Sequence, residues 1–282
     1  MEIRLVADSS ANVYAMEGAD FVSVPLKIVT EQQEYVDDVR LDVDGMIDQL
    51  RTVKGKTGTS CPNIHDWLKA FQGAKAVFAV TITSNLSGSY ASAVQAAEEY
   101  EAANPGAKVC VIDSLSAGPE LGLLLEQLRR WIGEDRDFDR IRQDILQYES
   151  HTHLIFSLES LTNLARNGRV NPAVAKLAGV LGIRVVGVAS EMGTLEPLHK
   201  CRGEKKALEA MCREMLDRGY AGGRVKIAHC RNLQAALELK KLLQQAAPQA
   251  AVEIEHCGAL CSFYAEQGGL LVGYEDRWAA TI

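Results

Sequence analysis

Residues 74–100 read AKAVFAVTITSNLSGSYASAVQAAEEY, and the fold turns on this stretch. Apart from Lys75, positions 74–83 form a run of small, branched and aromatic side chains, the pattern of a strand buried on both faces. The chain leaves that strand through SNLSGSY (84–90), which carries three serines and Gly88, and enters an alanine-rich helix. A strand that hands over to a helix through a short polar turn is half of a βαβ unit.

The same order repeats on either side. IRLVAD (3–8) and KVCVID (108–113) read as strands, and FVSVPLKIV (21–29) as another, with Pro25 marking an edge or a strand end. VDGMIDQLRTV (43–53) has helical spacing at Met46, Ile47 and Leu50. NIHDWLKAFQG (63–73) reads as a helix between Pro62 and Gly73, and Pro119 opens a helix over 119–134. This βαβα order predicts a parallel sheet with crossover helices.

The texture changes near residue 150. FDRIRQDILQYESHT (138–152) is a polar amphipathic helix able to bridge two domains. HLIFSL (153–158), GIRVVGVAS (182–190), GTLEPLHKC (193–201), RVKIAHC (224–230), AVEIEHC (251–257) and GGLLVGYE (268–275) read as strands. LTNLARNG (161–168) and the segments 203–219 and 232–247 read as helices, and Glu191 to Gly193 as a hairpin turn, so this sheet contains antiparallel pairs. The expected fold class is α/β in two domains: a parallel-sheet domain over 1–150 and a mixed-sheet domain over 151–282.

Composition narrows the function. Of 282 residues 47% are apolar, enough for a sizeable core, and the net charge of −7 argues against a general nucleic-acid binder. Seven scattered cysteines make no disulfide framework and suit a reducing cytoplasm. MEIRLVADSS lacks the apolar segment of a signal peptide. The most apolar stretch, 173–189, is interrupted by Lys176 and Arg184, so no stable membrane insertion is expected.

Ligands of open parallel sheets gather beyond the carboxyl ends of the strands, where helix starts offer N–H groups and a positive dipole end. Gly88 would let a ligand approach the backbone there, and Ser84, Ser87 and Ser89 add hydroxyls. Taken alone, the stretch is most simply a helix cap. Three other segments repeat the design: Asp8, Ser9 and Ser10 in VADSSAN, Thr59 and Ser60 in GTSCPN, and Asp113, Ser114 and Ser116 in VIDSLSAG. Together they predict a polar cup suited to a carboxylate or phosphate.

Six histidines are present, yet none lies in a local nucleophile motif, and no P-loop or G-x-G-x-x-G follows a strand. His256, Cys257 and Cys261 raise the option of zinc, without the paired spacing that structural sites use. Arg166 and Arg169 flank one turn. Lys200, Arg202, Lys205 and Lys206 gather at a strand-to-helix junction, where Arg202 does not complement the helix dipole.

ADSSAN, VPLKI, TGTSCPN, SNLSGSY, VIDSLSAG, LTNLARNGRV and KCRGEKKAL, in this order and over nearly the whole chain, resemble the DegV family of fatty-acid-binding proteins. The resemblance implies a two-domain α/β fold with a long-chain fatty acid in a buried apolar tunnel. It implies that Thr59, Ser60, Ser87 and Gly88, with Tyr264, hold the carboxyl, and that Arg169, Arg202 and Glu266 meet the head group or a partner. It implies as well that the partner is a separate kinase that makes an acyl phosphate, with no catalytic residue, cofactor or metal expected in this chain. Tyr264 stands where the family often carries His, with Glu266 and Gln267 in place of Gly-Pro. A phenol can donate a hydrogen bond but carries no positive charge, and Glu266 beside a carboxylate would repel it. The rival reading is an enzyme acting on a small anionic substrate through Tyr264, Glu266 and the serines. A long apolar cavity favours the lipid; a short polar pocket containing Glu266 favours the enzyme.

Overall fold

The computed structural model describes residues 2–173 and 182–277. Residues 174–181, which make up much of the apolar stretch 173–189, lie outside the described residues. The first sheet contains β1 (Ile3–Asp8), β2 (Asp20–Val24), β6 (Ala76–Thr81) and β7 (Lys108–Asp113), all parallel in the order β2-β1-β6-β7. Helices cover both faces. Trp67, Phe71 and Tyr100, from α2 (Ile64–Phe71) and α3 (Ser89–Ala103), pack on one side. On the other side α4 (Pro119–Gly133) and α5 (Phe138–Glu149) bury Leu121, Leu124, Leu128, Ile141 and Tyr148.

The second sheet is mixed. Its six strands, β8 (Thr152–Leu158), β9 (Ile183–Ala189), β10 (Leu195–Arg202), β11 (Arg224–His229), β12 (Ala251–His256) and β13 (Leu270–Glu275), follow the order β10-β9-β8-β13-β11-β12. Only β11 and β12 pair in parallel, and β9 and β10 form the hairpin read from the sequence. The Glu204–Asp217 and Leu233–Ala246 helices cover one face through Leu208, Met211, Leu239 and Leu243.

The stretch 21–29 is not one strand. It divides at Pro25 and Leu26 into β2 and β3 (Lys27–Thr30), which belong to different sheets. Pro25 has no N–H to offer a ladder, so the chain changes direction there. β3 pairs antiparallel with β4 (Glu34–Val36) and with β5 (Thr57–Ser60), a small third sheet absent from the sequence reading. This small sheet, with α1 (Val43–Leu50), closes over the uncovered face of β8. Ile28 and Met46 share an apolar cluster there with Leu154, Phe156, Leu158, Phe263 and Leu271. The seam between the small sheet and β8 is therefore apolar.

α5 reaches both sheets through Tyr148. Its hydroxyl donates to Glu275 at 2.5 Å and accepts from Arg224 at 2.8 Å. α4 is wedged against β13, where a side chain at Gly273 would come within 2.5 Å of the Glu120 backbone nitrogen. No helix among the described residues is long and apolar enough to cross a membrane.

Candidate ligand-binding site

β1 and β6 are neighbours in the parallel sheet, and their connections leave in opposite directions, to β2 and to β7. Beyond their carboxyl ends lies the crevice where open α/β sheets bind ligands. Here that crevice opens into a cavity of about 290 Å³ in the seam. Leu154, Phe156 and Leu158 of β8 line one wall, and Leu26, Ile82 and Leu260 another. The polar lining is Thr59, Ser60, Ser87, Arg169 and Tyr264, with Gly88 beside them.

The five residues picked from the sequence for the carboxyl thus come together: Thr59, Ser60, Ser87, Gly88 and Tyr264. Thr59 and Ser60 end β5, and a Cβ on Gly88 would sit 3.3 Å from the Sγ of the next residue, Cys61. Gly88 is the N-cap of α3 and has no side chain of its own to cap it. Ser87 Oγ accepts the Ser89 N–H at 3.2 Å. The cap that the sequence alone suggested is thus supplied by Ser87, which takes the first N–H of α3. Thr59 Oγ1 and Tyr264 Oη lie 2.8 Å apart. One hydroxyl proton makes that bond, which leaves the other for an acceptor in the cavity. Burial pushes the Tyr264 phenol above its ordinary pKa, more than the Thr59 bond and the Arg169 charge pull it down. It stays a neutral donor at physiological pH.

Arg169 lines the same cavity. Its Nε donates to the Leu86 carbonyl at 3.1 Å, and another guanidinium N–H donates to the Asn167 carbonyl. Arg202 does not line it; it is the exposed last residue of β10, opposite Ile183. Glu266 does not line it either. Its carboxylate accepts from Asn163 N at 3.0 Å and Ser160 Oγ at 2.9 Å, at the start of α6 (Thr162–Arg166). The expected repulsion assumed a Glu266 facing the ligand, whereas this carboxylate is spent on a helix N-terminus, where negative charge is favoured.

The broader cup of hydroxyls does not form. Asp8, Ser9 and Ser10 are fully buried beneath the site. Asp8 accepts from Ser10 and Ile82 backbone N–H groups at 3.2 and 3.0 Å and from Ser89 Oγ at 2.6 Å, tying the ends of β1 and β6 to the start of α3. Ser9 Oγ accepts from Leu26 N at 3.0 Å. Asp113 takes the N–H groups of Ser84 and Leu115, and Ser116 donates to Glu120, away from the cavity.

Sequence reasoning missed Asp37. Its carboxylate, 1% exposed, accepts from Tyr14 Oη at 2.7 Å and from Ala259 and Leu260 N–H groups at 2.9 and 3.1 Å. It thereby caps the Ala259–Ala265 helix, which has no side-chain cap of its own and carries Tyr264. Burial pushes the Asp37 pKa up, while these donors pull it down. The acidic pair in VDDV was the only signal available, and it resembles any solvated turn.

His256, Cys257 and Cys261 do not assemble a metal centre. Among the described residues no group of three or more His, Cys, Asp or Glu side chains is placed to share an ion. Cys257 and Cys261 are buried, and burial holds both thiols well above their ordinary pKa, in the neutral form.

Known proteins match this arrangement along its whole length. The family model described as "Uncharacterised protein, DegV family" matches residues 2–276. A DegV domain-containing protein of Streptococcus pneumoniae is 42% identical over 98% of this chain and 99% of its own. A DegV family protein from Eubacterium eligens, solved loaded with heptadecanoic acid, is 44% identical with a TM-score of 0.96. The match covers 98% of this chain and all of that one. The Streptococcus pneumoniae Fatty Acid Kinase (Fak) B3 protein, solved loaded with linoleic acid, is 42% identical with a TM-score of 0.96 over the same shares. The chain belongs to the DegV family.

Proposed function

We propose that the protein binds a long-chain fatty acid with its acyl chain in the seam cavity. Thr59, Ser60, Ser87, Tyr264 and the backbone at Gly88 hold the carboxyl. The observation that carries this reading is an apolar cavity whose polar lining is almost wholly hydroxyl, next to the start of α3. Each methylene removed from water contributes about 0.8 kcal/mol, so the chain supplies most of the affinity and the hydroxyls fix its orientation. The two relatives solved with C17 and C18 acids support the same ligand class.

In this reading the protein carries and presents the acid, and a separate kinase phosphorylates the carboxyl. The relative named for a fatty acid kinase supports that partner. Arg169, in the cavity wall, would meet the head group, while Arg202 and Glu266 are candidates for the partner's surface. Solvent extraction of the purified protein followed by mass spectrometry tests the proposal. A stoichiometric long-chain acid is expected. A protein that is empty and also refuses labelled fatty acids would overturn it.

A further inference from the structure

A second cavity adjoins the first. It is a polar cleft of about 760 Å³, lined among others by Glu120, Glu149, Thr152 and His153. Leu154 lines both cavities, the one residue common to the two linings among the described residues. The reason lies in the pleat of β8. Alternate residues share a face, so Leu158, Phe156, Leu154 and Thr152 follow one another along one side of the strand. The first three line the apolar cavity, and Thr152 lines the cleft. The helix bearing Tyr264 is bonded to the segment that follows Leu158, through Asn163 Nδ2 donating to the Phe263 carbonyl at 2.8 Å. The run from Leu158 to Thr152 therefore leads away from the hydroxyls and toward the polar cleft.

We infer that Leu154 is the partition that sets which acids the protein accepts. It ends the space for the acyl chain and keeps the tail from the carboxyl and hydroxyl of Glu120 and Thr152, whose oxygens are 2.8 Å apart. This deepens the proposed function and rests on it. A longer chain has no room past Leu154. A tail bearing a hydroxyl finds no partner before it and is penalised for losing water. Leu154→Ala removes about three carbon atoms of wall and joins the two spaces.

Dissociation constants for a saturated series from C14 to C22, and for ω-hydroxy counterparts, test this with three proteins: unaltered, Leu154→Ala and Leu154→Met. In the unaltered protein affinity should rise about fourfold per added methylene and then stop rising at a length limit. Leu154→Ala should move that limit to longer chains and shrink the penalty on the ω-hydroxy acids by about tenfold. Leu154→Met, of similar volume, should keep the original limit. If Leu154→Ala does not fold, Leu154→Val carries the same test with a smaller shift. A folded small-side-chain variant with an unchanged limit and an unchanged ω-hydroxy penalty overturns the partition. Failure of the unaltered protein to bind any acid overturns the fatty-acid reading, and the partition with it.

Discussion

The apolar cavity and the polar cleft share one strand face, yet they handle acidic groups in opposite ways. Around the cavity the buried carboxylates stand behind the wall. Asp8 holds the start of α3 and Asp37 holds the start of the Ala259–Ala265 helix, and neither lines the cavity. In the cleft the carboxyl groups of Glu120 and Glu149 are part of the lining. A carboxylate behind the wall takes up N–H and O–H groups and fixes the residues that face the ligand. A carboxylate in the wall raises the cost of a second anion. In the proposed function a negatively charged head group meets no carboxylate in the cavity lining, because the nearby acids are spent on orienting donors.

Of the buried acids behind the cavity wall, Asp37 should be the most sensitive to removal, as Asp37→Ala. It leaves two helix N–H groups and the Tyr14 hydroxyl without their acceptor in a buried place, at about 1–3 kcal/mol per group before relaxation. Thermal unfolding should show a loss of about 3 kcal/mol or more. Fatty-acid affinity should fall with it, because the helix that carries Tyr264 is loosened. An Asp37→Ala protein with unaltered affinity would detach the clamp from the site.

Glu120 should behave differently. Burial pushes its pKa up to about 7, although hydrogen bonds from Ser116 and Thr152 oppose the shift. The folded protein thus holds this proton more tightly than the unfolded chain does. The associated stability is full below about pH 4.5 and is lost as pH rises through about 7, a change of up to about 3 kcal/mol. Glu120→Gln should raise the unfolding temperature at pH 8 and change it little at pH 4.5. Equal effects at both pH values would show that Glu120 does not titrate in this window.

Tyr264→Phe should leave the fold intact and weaken binding by about 1.5–3 kcal/mol, the usual worth of a hydrogen bond to a charged group. Titration with a labelled acid measures it. Thr59→Val should give a similar loss, and the double variant less than the sum, because the two hydroxyls share a bond. Gly88→Ala should have the smallest effect. Its new methyl presses on Cys61 Sγ at 3.3 Å, so affinity should drop a few-fold with stability within about 1 kcal/mol of the parent.

What the sequence made legible follows from range. The βαβ order, the α3 start and the hydroxyl pairs at 59–60 and 87–89 depend on neighbours in the chain, and periodicity reveals them. β4 and β5 are too short to show alternation, and their partner β3 is identified only when Pro25 is seen to end a strand. The Ala259–Ala265 helix is buried nearly all round, so it shows no helical stripe, and its cap lies 222 residues away in Asp37. Tyr264 could be reached through a family resemblance, but its support could not. The same limit explains Glu266: its two partners, Ser160 and Asn163, are over 100 residues distant.

A crystal structure of the protein saturated with one long-chain acid would locate the carboxyl and the acyl chain. A carboxylate oxygen is expected within about 3.2 Å of the Thr59 or Tyr264 hydroxyl, with the chain running along Leu158 and Phe156 toward Leu154. A carboxylate bound in the polar cleft, or an acyl chain lying outside the seam, would contradict the proposed binding.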